Sequence, residues 1–203
     1  MFEAKHRAAL RRYGLELGEE IAAPTKLGNE RGIWLFTAEW SPASHPPPPG
    51  SKEHDESTRR GVGPVAGVRL DLRSRDRPLS LERAVSRFGQ HDRLRRYLHG
   101  RVGELAGWWV DPCARSRGLP AALLVVGVDF AADQGLASVL TLVPRHTRAI
   151  VSSLGFQVCP EFGEDGELPY PDDRYRSALM RLDLLDRRRP LPQSDDAKEL
   201  HYA

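Results

Sequence analysis

The sequence predicts an α/β fold built on a mixed sheet, and three observations carry that prediction. Short segments of strand-like alternation come first, over 32–40 and 64–73. A stretch that is apolar almost all round, 119–135, follows a basic turn. A near-continuous apolar segment, 137–143, comes directly after it and suits a strand covered on both faces. The resulting order is mixed strands, then strand, turn, helix, strand, helix, strand and strand.

Composition bounds the class. The 203 residues suit one domain, expected over 1–185, with a polar tail over 186–203. Hydrophobic residues make up 40% and charged residues 29%, the balance of a water-soluble globular chain. A formal charge of +2 and an isoelectric point near 8.7 are too mild for a nucleic-acid binder, which needs a basic face with interleaved aromatics. The longest purely apolar run, Ala121–Val126, falls far short of the roughly 20 residues that span a bilayer. The start MFEAKHRAALRRYG is charged throughout and has no apolar leader core. No membrane span is therefore expected, and the cytoplasm is the expected location. Cys113 and Cys159 are too few for a cysteine-rich metal site or a disulfide framework and read as ordinary thiols of a reducing compartment. No metal is expected.

Along the chain, Phe2, His6, Leu10 and Tyr13 recur at helical spacing and predict a helix over 2–14. GIWLFTAEW (32–40) predicts a strand. The segment 41–63, rich in proline, serine and charge, cannot bury enough apolar area to offset its ordering entropy. It predicts a flexible surface loop, with an extended proline ligand for a partner domain as the alternative. PVAGVRLDLR (64–73) predicts a strand with Val68, Leu70 and Leu72 on one face and Arg69 on the other. Residues 79–89 predict a helix with Ser80 as N-cap, Arg83 three residues on and Gly89 just past its end. A short helix or turn over 90–100 and a strand over 101–112, stopped by Asp111-Pro112, follow. After the long apolar helix and its strand come a short helix (145–155), a strand (156–160) and a last strand (174–185).

The basic turn Arg115-Ser116-Arg117-Gly118-Leu119-Pro120 lies between a strand and a helix. The first N–H groups of a helix lack partners within it and carry partial positive charge, so such a turn can cradle a phosphate. Gly118 permits close backbone approach, and Arg115 and Arg117 add charge at the rim. Pro120 is a good early helix residue but removes one donor. By itself the turn also fits an ordinary basic surface loop.

Residues 101–160 resemble the acyl-CoA-dependent N-acyltransferase superfamily, the GNAT fold. There a strand enters an Arg/Gln-x-x-Gly-x-Gly/Ala turn, then come helix, strand, short helix and Gly-Phe. Here the turn is followed at the matching distance by RHTRAIVSSLGF, with Gly155-Phe156. The resemblance implies a mixed, mostly antiparallel central sheet flanked by helices. It implies that Arg115, Ser116, Arg117, Gly118 and Leu119 hold the CoA pyrophosphate, and that Trp108, Trp109 and Val110 run along the pantetheine arm. His146 stands where relatives often have a cofactor-contacting Asn. A second resemblance, over VAGVRLDLR and VGELAGWWVDP, is to the N-acyl amino acid synthase and acyl-homoserine-lactone synthase branch. On that pattern Arg69 and Glu104 point into the acceptor pocket. The lactone synthases carry an Arg three residues after the Glu, where this chain has Gly107, so lactone synthesis itself is not expected.

The chemistry implied is acyl transfer from acetyl-CoA or a longer acyl-CoA, or from an acyl carrier protein, to the amine of a small molecule such as an amino acid. The amine must be neutral, the oxyanion stabilised and the leaving thiolate protonated. Glu104, desolvated on a central strand, can take the amine proton directly or through water. Its other assignment is an ion pair with Arg69 across strands. A backbone N–H near Trp109 or Val110 is the implied oxyanion donor. Many relatives have a Tyr four residues before the Gly of Gly-Phe as acid for the thiolate, and here that position is Val151. Trp108 and Trp109 should point to opposite faces of their strand, one packing in the core. Two alternatives stay open: a non-catalytic CoA-binding sensor or partner module, and a plain acetyltransferase for a protein or antibiotic amine. A homodimer is compatible with all three.

Overall fold

A computed structural model describes residues 25–26, 32–39, 64–111, 118–171 and 173–185. The expected helix over 2–14, the loop 41–63, the tail 186–203, Cys113, and Arg115, Ser116 and Arg117 lie outside the described residues.

Seven strands form one sheet: β1 (Thr25–Lys26), β2 (Ile33–Glu39), β3 (Pro64–Leu72), β4 (Val102–Val110), β5 (Ser138–Pro144), β6 (Gln157–Val158) and β7 (Ser177–Asp183). Their spatial order is β1-β2-β3-β4-β5-β7-β6. Every pairing is antiparallel except β4 with β5. That one parallel pair needs a crossover, and the apolar helix α3 (Leu119–Asp133) supplies it. Helices α1 (Ser80–Ser86) and α2 (His91–Arg95) fill the connection from β3 to β4, and α4 (Arg145–Ser153) follows β5.

The two sheet faces carry separate cores. On one, α3 buries ten of its fifteen residues against β2, β3 and β4. Phe36, Val68, Leu70 and Leu105 meet it from the strands, and Val151, Leu154 and Phe156 close the cluster. Phe130 anchors the crossing, with ring centroids 4.7 Å from Trp34 and 5.5 Å from Phe36 in tilted and edge-on arrangements. On the other face Leu79, Leu81, Val85, Leu94 and Leu98 pack on Val102, Leu140 and Leu179. Because α3 is apolar on every side, its position rests on contact with both sheet and neighbouring helix rather than on an amphipathic stripe. No described helix is long and apolar enough to cross a membrane.

Three elements differ in detail from expectation. Leu79, with extended backbone, is the N-cap of α1, and Ser80 is its first helical residue. The Glu82 carboxylate accepts the Leu79 N–H at 2.9 Å, so the cap is closed from within the first turn. The strand expected over 156–160 is reduced to Gln157–Val158, because Cys159 makes one further bond to Leu179 and Pro160 has no N–H to continue the ladder. The last strand starts at Ser177, not at 174.

Phe130→Ala removes the ring that joins α3 to β2. The expected cost is about 3–5 kcal/mol, read from the urea midpoint at constant slope. A loss below about 1 kcal/mol would show that α3 is not held there.

Candidate active site

Strand β4 carries the geometry that matters. On its β3 side, Gly67 pairs with Trp109 and Arg69 with Ala106, so three steps of β4 oppose two of β3. The extra residue is a β-bulge, and Gly107 takes the left-handed conformation (φ +63°) that this bulge type needs. On its β5 side the ladder has only three rungs: Val102 with Ser138, Gly103 with Val139 and Glu104 with Leu140. Beyond them the strands part. Each wall of the wedge stays supported from outside, since β4 keeps its pairing with β3 to Val110 and β5 keeps its pairing with β7 to Pro144. Thr141 closes the apex by donating its hydroxyl to the Leu105 carbonyl at 2.8 Å.

Glu104 is the last rung before the strands part, and it is 3% exposed. Its Oε1 accepts the Ser80 hydroxyl at 2.8 Å and its Oε2 accepts the Leu81 N–H at 3.1 Å. Burial pushes its pKa above the ordinary carboxylate value, the two hydrogen bonds oppose that rise, and the neighbouring Asp71 carboxylate adds to it. Asp71, 7% exposed, is the residue paired with Glu104 across β3 and β4. Arg69 turns to Asp71, with Nε at 3.1 Å and Nη2 at 2.9 Å from Oδ2. The expected ion pair between Arg69 and Glu104 is thus replaced by one between Arg69 and Asp71. Register decides this: Arg69 stands opposite Ala106, while its same-face neighbour on its own strand is the acid. Arg69, Asp71 and Glu104 still form one charged group on the face that α1 covers.

The two tryptophans divide as expected. Trp108 packs against the core beneath α3, and Trp109 is 41% exposed. The Trp109 ring lies over Gly67, where an added Cβ would stand 2.5 Å from Nε1. Gly118 is the N-cap of α3 in the left-handed conformation (φ +74°), with Leu119 and Pro120 as the first two helical residues. The first bond of the helix runs from the Ala122 N–H to the Gly118 carbonyl. The Leu119 and Ala121 amides therefore precede the ladder and point out of the helix end, and Pro120 contributes none. His146 is the exposed second residue of α4, whose neighbours Arg145 and Arg148 are committed to the buried Glu167. Val151 is fully buried beneath α3 and has no acid to offer.

Three residues of the candidate site escaped sequence reasoning. Asp71 was visible in the alternation Arg69-Leu70-Asp71-Leu72, which puts it beside Arg69. Ser80 read only as a cap, and its bond to Glu104 spans 24 positions. Gly67 looked like any glycine in a strand until Trp109 was placed over it.

Neither a scan against protein-family models nor a search of curated proteins returns a match. Solved structures do match, and the fold they share is the GNAT acyltransferase fold. The chain is similar to FeeM, an N-acyl amino acid synthase from uncultured soil microbes, at 12% identity and a TM-score of 0.51, covering 92% of this chain and 91% of that one. It is also similar to BjaI, a CoA-dependent acyl-homoserine lactone synthase, at 16% identity and a TM-score of 0.44, covering 90% and 74%. Arylalkylamine N-acetyltransferase 2 from Aedes aegypti matches at 14% identity and a TM-score of 0.43, over 60% of this chain and 68% of that one.

Two outcomes follow from this geometry. A carboxyl whose folded pKa lies above the unfolded one costs stability as pH rises from about 4.5 through the folded value. Glu104→Gln keeps an acceptor for the Leu81 N–H and carries no charge, so its stability relative to wild type should climb over that window in urea titrations. A pH-independent difference would mean that Glu104 is not desolvated. Gly67→Ala should drive the Trp109 ring off the sheet, with redder emission than the parent and no emission difference in a Trp109→Phe background.

Proposed function

We propose that this protein is an N-acyltransferase that moves an acyl group from acyl-CoA to the amine of a small molecule such as an amino acid. The observation that carries the reading is the wedge: β4 is bulged at Gly107, leaves β5 after Glu104, and leads to a helix whose first turn is Gly118-Leu119-Pro120. An extended pantetheine arm can add to the unladdered edge of β4 as a further strand would, along Trp108, Trp109 and Val110. In this reading Gly118 and Leu119 offer the pyrophosphate helix-end amides, and the charges of Arg115 and Arg117 with the hydroxyl of Ser116 compensate for the donor Pro120 lacks. His146 borders the same cofactor. An acyl carrier protein thioester is the alternative donor for the same wedge.

In this reading the acceptor amine attacks the thioester carbonyl directly in a ternary complex, with no acyl-enzyme. A backbone N–H near Trp109 or Val110 faces the oxyanion and stabilises its charge. Glu104 is the final acceptor of the amine proton, and its raised pKa makes it a better base than an ordinary surface carboxylate. Arg69, bound to Asp71, orders the charges around Glu104 and faces the acceptor. With Val151 in place of a tyrosine, solvent protonates the CoA thiolate, a leaving group good enough to depart without a dedicated acid.

A CoA-binding module without catalysis is the second reading, favoured by the buried Val151 and by the two hydrogen bonds that already occupy Glu104. Thiol release from a panel of acyl-CoAs and amines separates the two. Glu104→Gln should lower kcat/KM by roughly 100-fold or more while CoA affinity, measured by calorimetry, stays within about twofold. Unchanged turnover in that variant would remove Glu104 from the mechanism, and CoA binding without turnover for any amine would leave the module.

A further inference from the structure

Glu104 poses a problem for the proposed reaction. At 3% exposure its carboxylate is out of direct reach of an acceptor amine, and each oxygen is already occupied. The donor on Oε2 is the Leu81 backbone N–H, which cannot give up its proton. The donor on Oε1 is different in kind: it is the Ser80 hydroxyl, 2.8 Å away, on a residue that is only partly buried. A hydroxyl can donate one proton and accept another at the same oxygen. Ser80 is also held firmly, as the first residue of α1, between the Leu79 N–H closed by Glu82 and the Leu81 N–H on Glu104. Among the described residues no second route of this kind leads to Glu104: Asp71 beside it is bound to Arg69, and Leu140, its partner on β5, is apolar.

Resting on the N-acyltransferase reading, we infer that Ser80 is the proton relay of this site, with its Oγ receiving the acceptor amine's proton while its own hydroxyl proton passes to Glu104 Oε1. The balance closes. As the amine nitrogen bonds to the thioester carbon, its N–H proton moves to Ser80 Oγ and the Ser80 O–H proton moves to Glu104. The C–S bond breaks with its electron pair on sulfur. Glu104 then returns one proton through solvent to the thiolate, and Ser80 and Glu104 are restored.

The charged groups around Glu104 are Asp71, which raises its pKa, and Arg69 on β3, and Glu82 at the start of α1 with its partner Arg73 just after β3, where Arg73 Nε lies 3.0 Å from Glu82 Oε1. The Ser80 hydrogen bond favours the ionised Glu104, so its removal raises the pKa further.

The test compares wild type, Ser80→Ala and Ser80→Thr in the full chain, using acetyl-CoA or octanoyl-CoA with a panel of amino acids and arylalkylamines. Ser80→Ala should lose roughly 100-fold in kcat with KM within about threefold, and its rate should rise with pH at a higher midpoint. Ser80→Thr, which restores a hydroxyl, should recover at least about a third of the rate. Independently of turnover, carbon-13 NMR of labelled glutamate should show the Glu104 carboxyl titrating at higher pH in Ser80→Ala than in wild type. An active wild type with an equally active Ser80→Ala overturns the relay alone, as does a Ser80→Thr enzyme as slow as Ser80→Ala. A wild type that binds CoA but transfers to no amine overturns the enzyme reading, and the relay with it.

Discussion

The structure turns on a partial strand pairing. β4 and β5 run side by side for three rungs and then part, and every feature of the candidate site is placed by that event. Parallel neighbours require a crossover, and α3 makes it while lying flat on β2, β3 and β4. Each wall of the wedge is kept straight by its outer neighbour, β3 for one and β7 for the other. The bulge at Gly107 then twists the free end of β4, which is how Trp108 joins the core while Trp109 stands on the opposite face over Gly67. Two closely spaced strands thereby leave an unladdered backbone edge in the interior of a sheet, a place normally closed to ligands.

That opening has an electrostatic consequence. Two carboxylates, Glu104 and Asp71, face each other on adjacent strands, both nearly buried. A buried charge is tolerated only with partners, and the two acids find different ones. Asp71 takes the Arg69 guanidinium, while Glu104 takes the Leu81 amide and the Ser80 hydroxyl of α1. The same contacts that dock α1 on the sheet therefore set the proton affinity of Glu104. Structure and chemistry share those atoms, so a change at Ser80 reads out in both.

Much of the fold was legible in the chain. Alternation located β2, β3 and β4, the all-round apolar run located α3, and Gly135 and Gly155 mark the ends of α3 and α4. Glu104 and the pair of tryptophans were named as candidate site residues through the resemblance to N-acyltransferases, and alternation placed them on β4. Less legible were the ends of elements. The cap of α1 moved to Leu79 because Glu82 reaches back to its N–H, and β6 shrank because Pro160 ends the ladder.

What the sequence determined by itself was the order of elements, the face on which each side chain lies and the chemical types available near β4. These depend on local periodicity and turn chemistry, which a single strand or helix carries in its own residues. Only the tertiary structure decided that Arg69 pairs with Asp71, that Ser80 meets Glu104 from 24 positions away, and that β5 leaves β4 after Leu140. Those outcomes depend on register between strands and on where α1 docks. Register is a property of two segments together, and nothing within either one specifies it.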